Sequence, residues 1–240
     1  MRHPDLQSLV LVGPPRGGKD TLIGNIAEEF SDEVIVPERW STRPYHASPG
    51  KIPEWTHASP EDFEEGVATG MISPHWSRSL DIGGRPVRYS FLSVRPGDDR
   101  LRAYSANYPI LEKLDAERRL LLARAMVITV TADPEILHDR LEAIGHEMPH
   151  EEKMARHRKI DQNAPQSYRP GLTIDTSHLE PHEGQELFRN LVKDILLGWT
   201  PAGYSAGDVT ELESGLTQPH SRRTEGDDTR RGMSRRPLGT

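Results

Sequence analysis

The chain has 240 residues, of which 34% are hydrophobic, and it carries a formal net charge of −7 and no cysteine. This length is enough to bury a core, whereas the acidic balance argues against nucleic-acid binding, which needs clustered Lys and Arg. The lack of cysteine excludes disulfide frameworks and thiolate zinc sites. Because no apolar run approaches the roughly 20 residues of a membrane span, we expect a cytoplasmic protein with neither a membrane nor a nucleic-acid partner.

The first predicted elements are a strand, a glycine-rich loop and a helix. Residues 9–12 form an apolar run, and residues 22–30 carry apolar side chains at helical spacing. Between them stand Gly13, four further residues, then Gly18 and Lys19, which is the spacing of the phosphate-binding P-loop. The predicted nucleotide-binding residues are Gly13, Pro14, Pro15, Arg16, Gly17, Gly18, Lys19, Asp20 and Thr21.

The chemistry of this loop predicts ATP as the cofactor. Glycines allow backbone N–H groups to converge on phosphate oxygens at a helix N-terminus, and Lys19 would place a positive charge on the β and γ phosphates, which makes it a candidate catalytic residue. Asp20 stands where the pattern has Ser or Thr. Since a carboxylate is a hard oxygen ligand, we predict that Asp20 contacts Mg²⁺ directly or through water. The alternatives are that Asp20 caps the helix, or that the loop no longer binds ATP productively.

The acceptor of the predicted reaction would bind after the second strand. Residues 34–36 predict that strand, and Ser41 and Arg43 follow it within the segment STRP at 41–44. Ligands of open α/β sheets bind beyond the carboxyl ends of strands, so Arg43 is a candidate for holding an anionic group with its planar fork and Ser41 for adding a hydroxyl contact. Trp76 is a further candidate for the substrate pocket, with packing as the alternative.

The remaining pattern alternates strands with helices. Ser59, Pro60 and Asp62 predict the start of a short helix with a capping box. Strands are predicted over 101–106, 125–131 and 172–174. Helices are predicted from Tyr108 with Asn107 as the cap, from Pro134 with Asp133 as the N-cap, and over 187–196. This alternation predicts an α/β fold, a parallel sheet flanked by helices on both faces. Residues from about 40 to 100, with a possible strand over 87–94, predict a small acceptor-binding insertion.

The last third of the chain predicts a lid and a tail. Residues 146–170 are rich in charged side chains, and we predict a lid over about residues 145–160. In this lid, Arg156 and Arg158 are candidate catalytic residues for stabilising the transferring phosphoryl group. A solvated helix face is the alternative. Residues 199–240 hold few large apolar side chains and predict a disordered tail, so the folded domain is predicted to span residues 1–198.

Several segments together resemble the guanylate-kinase-like group of P-loop kinases. They are GPPRGGKDTL at 13–22, STRP at 41–44, SPEDF at 59–63, TADPEILHDRL at 131–141 and EEKMARHRK at 151–159. Gly-Lys-Asp in the loop, combined with Thr-Arg-Pro and with His75 and Trp76, looks most like the ribose 1,5-bisphosphate phosphokinases. The resemblance implies a P-loop kinase-like sheet that uses ATP and Mg²⁺ to phosphorylate ribose 1,5-bisphosphate to 5-phosphoribosyl 1-diphosphate, with the acceptor near Arg43.

The chain departs from that group at four places, one of which is the segment over 77–100, which is longer than the pattern of the group. Residues 88–91 read Arg-Tyr-Ser-Phe where the group has Tyr-Gly, Ile144 stands where the lid usually carries Arg, and residues 101–106 offer no carboxylate for magnesium. The predicted acceptor is therefore a small phosphorylated molecule, either a sugar bisphosphate or a nucleoside monophosphate. Guanylate or deoxynucleoside monophosphate kinase activity stays an alternative, as does a non-catalytic nucleotide-binding regulatory or scaffold protein.

Overall fold

The structure is a computed structural model, and it describes residues 6–43, 55–81, 86–92, 97–106, 124–143, 150–162 and 172–199. Among these residues, no helix is long and apolar enough to cross a membrane. Four predicted features lie outside the described residues: the helix that Asn107 caps, the position of Ile144, the first part of the lid, and residues 200–240 of the tail.

The central sheet is parallel, as predicted. Its described strands are β1 (Ser8–Val12), β2 (Val34–Ile35), β7 (Leu101–Ser105), β8 (Ala125–Thr131) and β9 (Leu172–Asp175). They run in the order β2-β7-β1-β8-β9. Because β1 lies in the middle of this order, the glycine-rich loop leaves the sheet at its centre, between the carboxyl ends of β7 and β8.

Five helices are described. They are α1 (Lys19–Glu29), α2 (Pro60–Ala68), α3 (Pro134–Glu142), α4 (His150–Gln162) and α5 (Pro181–Leu196). Of these, α1 and α5 pack on the central sheet and α2 packs on a second sheet. Alternate residues of β1 point to opposite faces. Leu9 and Leu11 pack on one face with apolar side chains of α1 and α5, including Ile26 and Phe188. This packing explains the helical spacing of the apolar residues in both helices.

A second sheet packs on the other face of β1. It contains β3 (Arg39–Ser41), β4 (Trp55–His57), β5 (Ile72–Asp81) and β6 (Pro86–Leu92), and these described strands follow the order β4-β3-β6-β5. Val10 and Val12 of β1 meet Tyr89 and Phe91 of β6 in a shared apolar cluster. The second sheet coincides with the predicted acceptor-binding insertion and lies directly against the strand that leads into the P-loop.

The possible strand over 87–94 corresponds to β6, whereas β3, β4 and β5 were not predicted as strands, and β5 is the longest of them. Pro74 lies within it, and a proline usually argues against a regular strand because it donates no hydrogen bond to the ladder. The register between β5 and β6 shifts between Ile72 and His75, and this irregularity accommodates the proline. The ladder contacts with β6 therefore decide the structure of β5, whereas its local sequence favours a loop.

Both predicted N-cap residues, Ser59 and Asp133, directly precede their helices, but only Ser59 makes a capping hydrogen bond with its side chain. The Ser59 hydroxyl accepts a hydrogen bond from the Asp62 backbone N–H at 3.0 Å, and Asp62 reciprocates, so the predicted capping box of α2 is confirmed. Asp133 precedes α3 as predicted, but its side chain makes no capping hydrogen bond. Its backbone N–H instead donates to the Ser177 hydroxyl at 2.8 Å, which ties the start of α3 to the segment after β9.

Candidate functional site

The glycine-rich loop packs closely on β8. A Cβ atom added to Gly13, whose φ is +152°, would lie 1.9 Å from the carbonyl oxygen of Val130. A Cβ atom on Gly17 would lie 3.2 Å from the same oxygen, and Gly18, immediately before α1, has a φ of +92°. Close approach and left-handed backbone therefore both require glycine here, and Arg16 shares the unusual backbone with a φ of +68°.

Lys19 closes the loop from its helical end. Its Nζ donates a hydrogen bond to the Gly13 carbonyl oxygen at 3.0 Å and another to the Pro14 carbonyl oxygen at 2.7 Å. The ammonium group therefore lies inside the curve of the loop, at the N-terminus of α1, where the helix dipole also favours an anion. Pro15 and Thr21 belong to the same segment, and Thr21 is exposed on the first turn of α1.

The back of the loop is held by two residues that the sequence did not single out. The hydroxyl of Thr176, just after β9, lies 3.2 Å from the Gly17 carbonyl oxygen and 3.0 Å from that of Thr131. Arg140 of α3 donates to the Thr176 hydroxyl at 3.0 Å and to its carbonyl oxygen at 2.7 Å. The same guanidinium donates to the Arg16 carbonyl oxygen at 3.4 Å. Thr176 and Arg140 thus join the loop to the ends of two strands and to α3.

Asp20 is paired with an arginine of the second sheet. Arg39 Nη1 donates to Asp20 Oδ1 and Nη2 donates to Oδ2, each at 3.2 Å. Crowding of the carboxylate by protein atoms raises its pKa, but the Arg39 charge, hydrogen bonds from Ser105 and Arg39, and the Lys19 charge outweigh this effect and lower the pKa of Asp20 below its ordinary value. The Asp20 side chain nevertheless keeps 55% of its surface exposed, so solvent weakens each of these interactions.

The acceptor candidates Ser41 and Arg43 lie beside this pair. Burial alternates along the segment, with Arg39, Ser41 and Arg43 buried and the residues between them partly exposed. The Arg43 backbone N–H donates to the Ser41 hydroxyl at 3.1 Å, and His57 of β4 lies with Nδ1 3.1 Å from the Arg43 carbonyl oxygen. Sequence reasoning missed Arg39, because an apolar-polar alternation would bury Trp40 and not its arginine neighbour, whereas the structure buries Arg39.

Trp76, the third acceptor candidate, lies in β5. It stands opposite Tyr89 of β6 in the ladder, next to the pair His75 and Ser90. It therefore belongs to the second sheet, as do Ser41 and Tyr89, and its contact with an acceptor stays a prediction.

The lid candidates Arg156 and Arg158 lie on α4, which is anchored on α3. Lys153 of α4 forms an ion pair with Glu142 of α3, and His157 Nε2 lies 2.9 Å from a Glu142 carboxylate oxygen. The hydrogen bond from Lys153 is the main cause that lowers the pKa of Glu142. Arg156 is half-buried and Arg158 is exposed, and their action on a phosphoryl group stays a prediction.

The oxygen atoms at the carboxyl edge of the sheet bear on the predicted magnesium contact. Across the described part of the chain, no group of three or more His, Asp or Glu side chains is arranged to hold a metal ion. Asp20 and Ser105 supply hard oxygen atoms beside the P-loop. The contact of Asp20 with Mg²⁺ stays a prediction.

Comparison with known proteins identifies the fold. Neither a protein-family model nor a curated protein matches the chain. Among solved structures, a guanylate kinase from Anaplasma phagocytophilum is similar over 90% of this chain and 97% of that enzyme, with a TM-score of 0.53 and 13% sequence identity. The similarity confirms the predicted α/β fold, a parallel five-stranded sheet with flanking helices as in P-loop kinases.

Proposed function

We propose that this protein is an ATP-dependent phosphotransferase that acts on a small phosphorylated acceptor. The observation that carries the proposal is the loop in which Gly13 packs on Val130 without room for a Cβ atom while the Lys19 ammonium turns back onto the Gly13 and Pro14 carbonyl oxygens. This arrangement holds a cation and a helix N-terminus at one point, which is the chemistry that a polyphosphate requires. The similarity to a guanylate kinase fold supports the same class of reaction.

The protein would act mainly by positioning and by charge neutralisation. Lys19 would exchange its two carbonyl partners for phosphate oxygens, and the loop amides would surround the same group. Magnesium bound with ATP would neutralise phosphate charge. Arg39 donates one hydrogen bond to each Asp20 oxygen and Ser105 donates another to the carboxylate, so one of its roughly four lone-pair sites stays able to accept a hydrogen bond from a metal-bound water. We therefore propose that Asp20 acts on the metal through water.

The second sheet would bind the acceptor. Arg43 is only 4% exposed and Ser41 is fully buried, and Arg39 lies on the same face of the segment. Buried guanidinium groups favour a phosphorylated acceptor over a neutral one, because Arg binds phosphate through two parallel hydrogen bonds. Arg156 and Arg158 of α4 would supply further positive charge to the transferring phosphoryl group.

Ribose 1,5-bisphosphate is our first candidate acceptor, and GMP is the second. The first follows from the sequence resemblance, in which Asp20, Arg43 and Trp76 take part. The second follows from the solved guanylate kinase that shares the fold. The two molecules differ in whether a purine base must fit, so a direct comparison of turnover separates them.

A coupled assay of ADP release tests the proposal. Purified protein would be incubated with Mg·ATP and with ribose 1,5-bisphosphate, GMP or deoxynucleoside monophosphates in parallel. Lys19→Ala should reduce the affinity for a fluorescent ATP analogue by about tenfold or more, since hydrogen bonds from a charged donor contribute about 1.5–3 kcal/mol. Lys193→Ala, on the exposed side of α5, is the matched control.

The outcomes discriminate between the candidate functions. Turnover with ribose 1,5-bisphosphate alone supports the first acceptor, and turnover with GMP alone supports the second. ATP binding that depends on Lys19 but yields ADP with none of these acceptors supports the non-catalytic alternative. If the wild-type protein binds no ATP, the proposed function is wrong.

A further inference from the structure

Asp20 and Arg39 connect two parts of the molecule that bind different substrates in the proposed reaction. Asp20 is the second residue of α1 and directly follows Lys19 of the P-loop. Arg39 is the first residue of β3 in the second sheet. The pair is a fork of two hydrogen bonds, each 3.2 Å long, and such bidentate geometry fixes the relative orientation of both groups.

Arg39 is itself fixed within the second sheet. Its guanidinium carbon lies 4.1 Å from the centre of the Trp55 ring of β4, at a distance typical of a cation–π contact. The Trp55 ring meets Tyr89 of β6 edge to face, with the ring centres 5.7 Å apart at 80°. Arg39 is 5% exposed. Its guanidinium therefore joins three strands of the second sheet to the first turn of α1.

The two partners differ in burial, so the protein holds Arg39 more rigidly than Asp20. The Asp20 side chain is 55% exposed, whereas that of Arg39 is 5% exposed. The arginine is thus held by its surroundings, and the carboxylate is the end of the contact that faces the nucleotide loop. Ser41 and Arg43 follow on the same buried face as Arg39. A change in the position of Arg39 would therefore also shift these two acceptor candidates.

We propose that Asp20 and Arg39 are a pair of positioning residues that couples nucleotide binding at the P-loop to the geometry of the acceptor sheet. Phosphate binding by Lys19 fixes the first turn of α1 and with it the adjacent Asp20 carboxylate. The bidentate contact transfers this constraint to Arg39 and so to β3. By thermodynamic linkage, an acceptor that orders β3 tightens nucleotide binding by the same factor.

Hydrogen exchange of the β3 amides measures this coupling without any turnover. Exchange of peptides that cover β3 and β4 would be followed with and without Mg²⁺ and a non-hydrolysable ATP analogue. In the wild-type protein, we expect the nucleotide to slow exchange in these peptides by at least about fivefold, the lower end of common coupling strengths. In Asp20→Asn and Arg39→Gln, the same nucleotide should slow exchange by less than about twofold at saturating concentration.

Arg189→Gln is the matched control. Arg189 of α5 lies 3.8 Å from Glu29 at the opposite end of α1, so this variant also removes an arginine contact to α1, but far from the loop. It should retain the wild-type effect of the nucleotide on β3. Should Asp20→Asn bind nucleotide too weakly to saturate, Arg39→Gln, which keeps the Asp20 carboxylate, carries the comparison.

A double-mutant cycle tests the contact in the nucleotide-free protein. The urea midpoints of Asp20→Asn, Arg39→Gln and the double variant would be compared with that of the wild type. A double variant that is less destabilised than the sum of the single variants supports the pair, and additive shifts would overturn it.

The inference rests on the proposed function, because it assigns the nucleotide to the P-loop and the acceptor to the second sheet. Different results would nevertheless refute the coupling role and the proposed function. A wild-type protein that binds no nucleotide refutes the proposed function. A protein that binds nucleotide without protecting β3, or variants that keep the protection, refutes only the coupling role of Asp20 and Arg39.

Discussion

The Thr176 hydroxyl lies 3.2 Å from the carbonyl oxygen of Gly17, although 159 positions separate the two residues in the chain. The same hydroxyl is 3.0 Å from the Thr131 carbonyl oxygen and accepts a hydrogen bond from Arg140. One side chain at the end of β9 thus supports the back of the P-loop, the end of β8 and the position of α3.

Replacing Thr176 should therefore weaken both the fold and nucleotide binding. Thr176→Val keeps the shape of the side chain and removes the hydroxyl, so we expect a loss of about 1–3 kcal/mol in the free energy of unfolding, as for other buried polar groups left unsatisfied. Urea denaturation measures the loss, and titration with a fluorescent ATP analogue measures the effect on the loop. Thr173→Val, at an exposed position of β9, should change neither, and equal effects of the two variants would contradict the assignment.

Gly13→Ala should be strongly destabilising. The new methyl group would lie 1.9 Å from the Val130 carbonyl oxygen at a φ of +152°, so a backbone clash adds to a backbone conformation that costs about 1–3 kcal/mol by itself. We expect a total loss of at least about 3 kcal/mol in chemical denaturation. Gly97→Ala is the control, because Gly97 has a φ of +87° but no atom within 4 Å of an added Cβ. Its loss should be only the backbone cost of about 1–2 kcal/mol, and a similar loss at both positions would show that Val130 does not confine the loop.

The contribution of Asp20 to stability should depend on pH. The pKa of Asp20 is lowered in the folded protein from 3.8, so its favourable contribution is complete above pH 3.8 and disappears as the pH falls through the lower folded value. The stability difference between the wild type and Asp20→Asn should thus be constant near neutral pH and shrink below pH 3.8. Denaturation at a series of pH values checks this expectation. When both proteins also carry Arg39→Gln, the stability difference caused by Asp20→Asn should be smaller at every pH. An unchanged difference would exclude Arg39 as its source.

Arg43→Lys should affect the acceptor more than ATP. Lysine keeps the charge but loses the planar fork that binds two phosphate oxygens, so we expect the KM for the acceptor to rise about tenfold, which corresponds to about 1.4 kcal/mol. The affinity for ATP should change by less than about twofold. Steady-state kinetics with each substrate varied in turn separate the two quantities. Arg189→Lys, on the surface of α5, controls for the substitution itself, and a rise in the KM for ATP alone would remove Arg43 from the acceptor site.

The sequence predicted those strands and helices whose apolar runs, helical spacing or capping residues lie within a few positions of one another. The apolar run of β8 and the spacing of Leu22, Ile23 and Ile26 in α1 follow the periodicity of burial. This periodicity can be read directly from the order of the residues. The capping box of Ser59 and Asp62 is equally local. β5 was missed because Pro74 opposes a strand, and only its pairing with β6 makes one.

Some residues of the candidate site were predicted from the sequence, and others were missed. Gly13, Gly18 and Lys19 were predicted because the loop needs glycine for its backbone and lysine for its charge at a fixed spacing. Arg39, Ser105, Arg140 and Thr176 were missed, because each reaches the loop from a strand or helix that is distant in sequence. Ser41 and Arg43 were predicted beyond the end of a central strand, but Ser41 ends β3 of a separate sheet.

The spacing and type of the residues were enough to predict a P-loop and the alternation of strands and helices. The partner of each charged residue depends on the folded chain. Asp20 shows the difference, because its position after Lys19 predicts a contact with magnesium, whereas the folded chain brings the buried Arg39 within 3.2 Å of both its oxygens. The physical reason is that a hydrogen bond between two distant segments depends on how two sheets pack around β1, and that packing is a property of the whole core.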